Sequence, residues 1–257
     1  MEGMQTAPAT ESRSDDVVAE RGSADRAPVD RTSVDRTWAD RTLGEIAVAV
    51  PAAIAVFRRV GLDFCCGGDA TLRDAAAARL GPRPTLDAEL ADLAAQATEA
   101  PPEQRTAPAL IDHILRRFHD VHRQEIPMLA DLARKVEAVH RTHALVPKGL
   151  AAALTELGDE LEMHMAKEEQ VLFPAMRRGL AGPIAQPIAR MRYEHDEHGM
   201  RLRLLAEITH DLALPEDACR SWRALYAGVE KLVGDLMQHI HLENNVLFPQ
   251  FAPAASR

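Results

Sequence analysis

From Thr42 onward the apolar positions recur at helical spacing, and no stretch sustains the period-two alternation of a strand. An all-α chain is expected. Thr42 and Glu45 have capping-box spacing, so a helix is predicted over LGEIAVAVPAAIAVFRRV, bent or restarted at Pro51 and stopped at Gly61. After LDFCCGGD, a second capping box at Thr71 and Asp74 opens an Ala-rich helix ending at Gly81, and a short helix follows from Thr85 to Ala97. Residues 98–107 (TEAPPEQRTA) break the pattern as a linker. Four long amphipathic helices are predicted beyond it: about Ala109 to His140 with a kink at Pro127, Pro147 to Arg177, Pro187 to His210, and Pro215 to Phe248. Gly and Pro cluster at their junctions, and short connections favour an up-down four-helix bundle. The expected organisation is a disordered tail over 1–41, a small helical domain over 42–97, the linker, and the bundle over 108–252.

Composition supports this division. The 257 residues suffice for one sizeable helical domain and a smaller one. The first 41 offer few large apolar side chains to bury and repeat Asp-Arg at Asp25, Asp30, Asp35 and Asp40, a period that fits neither helix nor strand. A net charge of −9 without a basic stripe excludes nucleic acid as an expected partner. Met1 to Glu20 has no apolar core, which argues against a signal peptide, and no run approaches membrane-helix length. Three cysteines, two of them adjacent, do not make a disulfide framework; free thiols in a reducing cytoplasm are expected.

The candidate chemistry lies in a duplication. HMAKEEQVLFP begins at His164 and HIHLENNVLFP at His239, with Glu, Val, Leu, Phe and Pro at identical offsets. Upstream, H-D-x-H occurs at His119 and at His195, 45 and 44 residues before those histidines. On a helix, i and i+4 lie about 40° apart on one face. His164 with Glu168, and His239 with Glu243, can therefore reach the same ion or adjacent ions. Four histidines and two carboxylates, one histidine from each long helix, form the ligand set of a dinuclear metal site. The same arithmetic puts Glu169 about 140° and His241 about 200° away from the ligand face, so both are expected to face solvent.

The remaining histidines are pruned by geometry. His140 is 21 residues beyond His119, about 31 Å along a straight helix, too far to share a small site. His122 and His198, at i+3, are assigned to a supporting shell or the surface; His113, His143 and His210 have no partner at ligand spacing. Mixed imidazole and carboxylate with open positions suits iron or manganese. Two anionic ligands, fewer than in ferritin-type sites, should hold iron less tightly.

DFCCGGD at 63–69, VPKGL at 146–150, the two V-L-F-P segments and EHDE at 194–197 together resemble the iron–sulfur cluster repair di-iron family, also called repair of iron centres proteins. The likeness covers about Thr42 to Ala252. It implies a hemerythrin-like bundle joined to a double-cysteine domain, with iron ligands at His119, His164, Glu168, His195, His239 and Glu243. It further implies two non-haem iron ions per chain, oxo- and carboxylate-bridged, used to restore clusters damaged by nitric oxide or peroxide. Damaged iron–sulfur proteins or cluster-assembly proteins are the implied partners, and a homodimer stays open. Oxygen-carrying hemerythrins place histidine where this chain has Glu168, which weighs against an oxygen or nitric oxide binding sensor or scavenger, the main alternative. An iron-storage or peroxide-reducing protein is a third. Phe118 before the first repeat histidine and the charged tail depart from the family's pattern. Cys65 and Cys66, in a loop followed by Gly67 and Gly68, are expected to be accessible thiols, with a thiolate stabilised by the helix start near Thr71, acting in redox or metal handling. Cys219 has no partner in sequence and is read as structural.

Overall fold

The computed structural model describes residues 37–79, 84–96, 106–180 and 184–252. Residues 1–36, most of the charged tail, lie outside that set, as do the helix end at Gly81, Ala97 and residues 98–105 of the linker. All regular elements among the described residues are helical.

A 3-10 turn at Trp38–Asp40 precedes the first helix, and Arg73 reaches back to Asp40 at 2.7 Å. Regular structure among the described residues thus starts at Trp38, ahead of the expected Thr42. Helix α1 (Leu43–Ala49) starts at the predicted capping box, with both the Thr42 and the Glu45 bonds made. The chain breaks at Val50–Ala52, where Pro51 cannot continue a helix, and α2 (Ala53–Val60) ends on Gly61 at φ 71°. Helices α3 (Leu72–Arg79) and α4 (Pro84–Gln96) complete the small domain.

The first long helix comprises α5 (Ala107–Ile114), a π turn at Leu115–His119 and α6 (Asp120–Val139). The helix continues through Pro127, and a π turn precedes it at Leu115–His119. The second comprises α7 (Leu150–Lys167), a π turn at Glu168–Leu172 and α8 (Phe173–Arg177). The third is α9 (Ala185–Ile208); the fourth comprises α10 (Arg220–His241), a π turn at Leu242–Leu247 and a 3-10 turn at Phe248–Phe251. Helix α6 packs on α7 and α10, and α9 packs on α7 and α10, which closes the four-helix square.

The V-L-F-P exits explain two of the π turns. Pro174 and Pro249 lack an N–H, and in an α-helix their rings would clash with the carbonyls of Gln170 and Asn245. Widening the turn relieves this, and the N–H groups of Phe173 and Phe248 bond five residues back, to the carbonyls of Glu168 and Glu243.

Two apolar clusters enclose the middle of the bundle. One holds Leu110, Ile114, Phe118, Phe173, Phe248 and Phe251. The other contains Ile46, Phe57 and Phe64 of the small domain together with Leu232, Leu236 and Ile240 of the bundle. The small domain is therefore packed onto the bundle through a shared core rather than tethered to it. No helix among the described residues is long and apolar enough to cross a membrane.

Candidate metal centre

The six duplicated residues meet in the bundle interior, all at most 1% exposed. They form two sets whose potential ligand atoms lie within 4.8 Å of one another: His119, His239, Glu168 and Glu243, and His164, His195, Glu168 and Glu243. Each set takes one histidine from each repeat unit, and the two carboxylates belong to both. Glu168 directs Oε2 to His119 Nε2 and Oε1 to His164 Nε2, each at 3.4 Å. Glu243 directs Oε1 to His239 Nε2 at 3.1 Å and Oε2 to His195 Nε2 at 3.0 Å. Each glutamate thus spans both positions.

The donor set fits metal binding. His119 and His239 face each other Nε2 to Nε2 at 3.1 Å, as do His164 and His195. Three of the four Nδ1 atoms are committed to oxygen acceptors outside the cluster, so Nδ1 carries the proton in the neutral ring and the inward Nε2 offers a lone pair. Facing lone pairs beside two buried carboxylates need positive charge between them. Both oxygens of Glu168 and Oε2 of Glu243 have no hydrogen-bond donor. The pull toward positive charge is visible at His164: burial opposes its protonation, but Glu168 and Glu194 outweigh burial and raise it to about 10. This is a buried imidazole–carboxylate cluster of the non-haem iron-binding kind.

The groups that aim these histidines are repeated too. Glu169, one residue after Glu168, accepts from His119 Nδ1 at 2.8 Å and is itself held by Arg123 at 2.8 Å. Asn244, one residue after Glu243, accepts from His195 Nδ1 at 2.9 Å. Phe173 stacks on His119 and Phe248 on His195, so each V-L-F-P exit covers the upstream histidine of its own unit. The symmetry fails at one place. Glu194, before His195, accepts from His164 Nδ1 at 2.9 Å and is tied to Lys167 and Arg190. Phe118, at the matching position before His119, lies parallel over His239 instead, and His239 Nδ1 has no partner.

These contacts bear on several expectations. Glu169 is only partly exposed, at 31%, because its direction on the helix also points toward the neighbouring helix carrying His119. His241 is 1% exposed, packed edge-on against Phe64 at 5.6 Å, because the small domain covers that face. His122 and His198 are buried beside the cluster, 5.5 Å from the His239 ring and 4.9 Å from the His164 ring. Burial lowers them to about 2 and about 3, so both are neutral imidazoles. His140 lies away from the cluster, against Trp222 and 3.2 Å from Cys219 Sγ, which gives Cys219 the partner its sequence context lacks.

The double-cysteine loop is also unlike its expectation. Cys65 is buried, and the adjacent Cys66 thiol, burial and Asp63 push its thiol well above the ordinary value, so no stabilised thiolate forms there. The loop is clamped on the bundle by Asn244 Nδ2 to the Cys65 carbonyl and Asn245 Nδ2 to the Phe64 carbonyl, both at 3.0 Å. Cys66 Sγ donates to the backbone carbonyl of His195 at 3.2 Å. Gly68 must be glycine here, since a Cβ would lie 2.9 Å from the Phe64 carbonyl and 3.0 Å from Asn245 Oδ1. Asn244 consequently joins His195 and Cys65 with one amide.

Comparison with known proteins agrees with both halves. Residues 110–251 match the Hemerythrin HHE cation binding domain, and residues 39–94 match the ScdA_N domain, described as a domain of unknown function. The chain is 49% identical over 212 residues to the iron–sulfur cluster repair protein YtfE of Musicola paradisiaca, covering 81% of this chain and 94% of that one. It is 47% identical over 210 residues to proteins of the same name from Pectobacterium carotovorum and from Escherichia coli O1:K1, covering 81% of this chain and 95% and 94% of theirs. This chain therefore belongs to the iron–sulfur cluster repair family that joins an ScdA_N domain to a hemerythrin-type bundle.

Proposed function

We propose that this protein repairs damaged iron–sulfur clusters by holding two non-haem iron ions between its four histidines and two shared glutamates and giving iron up to the damaged protein. The observation that carries the reading is the pair of four-residue sets with both carboxylates in common. The names of the relatives support repair over gas carriage or storage. Iron held there would supply the exchangeable metal for repair.

The chain's own residues account for the rest. His119 and His239 would hold one ion, His164 and His195 the other, with Glu168 and Glu243 available to both. Glu169, Glu194 and Asn244 keep three imidazoles aimed inward by fixing the Nδ1 proton. Phe118, Phe173 and Phe248 wall the histidines with apolar surface and exclude water. A net ligand charge of only two negatives holds iron less tightly than a carboxylate-rich site. Cys65 and Cys66 act as metal-handling or redox residues behind His195. The partners are damaged iron–sulfur proteins in the cytoplasm, with oxygen or nitric oxide as small ligands of the centre.

The test is transfer. Iron-loaded protein is incubated with an apo iron–sulfur enzyme and sulfide, and enzyme activity is followed together with iron lost from the donor. Recovery of activity in step with donor iron loss is expected. No recovery despite a full iron complement in the donor refutes the repair reading.

A further inference from the structure

Asp63, Cys65 and Cys66 form a third potential ligand set, separate from the six residues above, with ligand atoms within 4.8 Å of one another. Its dimensions are those of a coordination shell. The Sγ atoms are 3.8 Å apart. A tetrahedral ion with metal–sulfur bonds near 2.3 Å separates two sulfurs by about 3.8 Å. Asp63 Oδ1 lies 3.3 Å from Cys65 Sγ. Metal–oxygen and metal–sulfur bonds of about 2.1 and 2.3 Å require an oxygen–sulfur distance of roughly 3.6 Å, a few tenths of an ångström away. All three cysteines of the chain are free thiols, so the pair is chemically available.

The surroundings suit a cation that comes and goes. Asp63 and Cys65 line a cleft of about 910 Å³ between the small domain and helices α9 and α10, which leaves a fourth position open to solvent or a recipient. A closed four-ligand site holds structural metal, whereas three protein ligands and an open position permit exchange. The Cys66 amide donates to Asp63 Oδ1 at 3.0 Å and fixes the carboxylate. Arg203 lies 3.9 Å from Asp63 Oδ2, where its charge offsets the net −1 of two thiolates, one carboxylate and a divalent ion. Cys66 touches the His195 carbonyl, and Asn244 bonds both the His195 imidazole and the Cys65 carbonyl. The set therefore sits directly behind one half of the dinuclear cluster.

We propose that Asp63, Cys65 and Cys66 bind a single thiophilic divalent cation, ferrous iron in the cell, as a transit site between the dinuclear centre and the recipient. The inference rests on the repair reading and extends it. Binding replaces two S–H bonds by two metal–sulfur bonds and releases two protons to solvent, with no change of oxidation state.

Iron-loaded full-length protein is titrated anaerobically with cobalt(II) under reducing conditions, and thiolate-to-cobalt charge-transfer absorption is recorded. The dinuclear cluster contains no sulfur ligand and cannot produce this band. One equivalent of cobalt with the band is expected. Cys65→Ser with Cys66→Ser should lose the band while keeping its iron. Asp63→Asn, a substitution at a partly exposed residue, should keep the fold and weaken cobalt binding about tenfold or more. In the transfer assay the double variant should release iron to the apo enzyme more slowly than the parent. Absence of the band in the parent, or a band unchanged in Asp63→Asn, overturns the site. A band with unimpaired transfer by the double variant overturns its role in transit. Parent protein that shows the band but holds no iron pair would instead overturn the repair reading.

Discussion

Removing the Asn244 amide tests how the loop and the metal cluster are connected. Asn244→Ala deletes an acceptor from the buried His195 Nδ1–H and a donor from the buried Cys65 carbonyl. An unsatisfied buried group costs about 1–3 kcal/mol, so the pair costs about 2–6 kcal/mol, with the lower end reached where water enters. At about 2 kcal/mol the melting temperature falls by about 4–8 °C. A free His195 ring also reduces affinity for metal by about 10–100-fold, the usual effect of losing the partner of a ligating imidazole. Asn244→Asp separates the two roles: a carboxylate still accepts from His195 but cannot donate to Cys65. Iron retained against a graded chelator series, measured beside thermal unfolding, reads both effects. Alanine should lose iron and stability, whereas aspartate should keep the iron and lose only stability. Unchanged iron retention in Asn244→Ala would refute the claim that this amide orients His195.

Glu169→Ala should likewise lower iron retention by about 10–100-fold, read in the same chelator series, because His119 Nδ1 loses its acceptor. A fragment limited to residues 106–252 should be less stable than the whole chain and bind a hydrophobic dye, since Leu232, Leu236 and Ile240 share their apolar cluster with Phe57 and Phe64; dye fluorescence and calorimetry check this. The metal-free protein should lose stability as pH rises from about 6.5 to about 10, because His164 is raised on folding and its stabilisation is full only below the unfolded value. Iron retention should run the opposite way, falling as pH falls, since protons and iron compete for the same imidazoles; thermal melts and iron content across pH distinguish the two.

Reading the chain alone located the cluster because its information is local. Two H-x-x-x-E segments at i+4 spacing on amphipathic helices need only the helical repeat to be placed on one face. Capping boxes and Gly61 marked the small domain for the same reason. What local arithmetic missed was decided by neighbouring elements. Glu169 and His241 lie off the ligand face, as calculated, yet one meets His119 across the bundle and the other meets Phe64 from the small domain. The repeat contained a usable signal: Glu169 and Asn244 occupy the same offset, and both hold the upstream histidine of their own unit. No such signal reveals that each position draws one histidine from each unit, since that depends on helix packing. Nor does sequence show that the small domain shares the bundle core, which turned an expected exposed thiol loop into a partly buried one.

The central claim is that two ions share Glu168 and Glu243, and metal stoichiometry with spin coupling tests it most directly. Purified protein should contain two iron atoms per chain, and the pair should be magnetically coupled in its electron paramagnetic resonance and Mössbauer spectra. Glu243→Gln should lose most of both ions, because its two oxygens reach His239 and His195 at once. One uncoupled iron per chain, or a full complement retained by Glu243→Gln, would contradict the account.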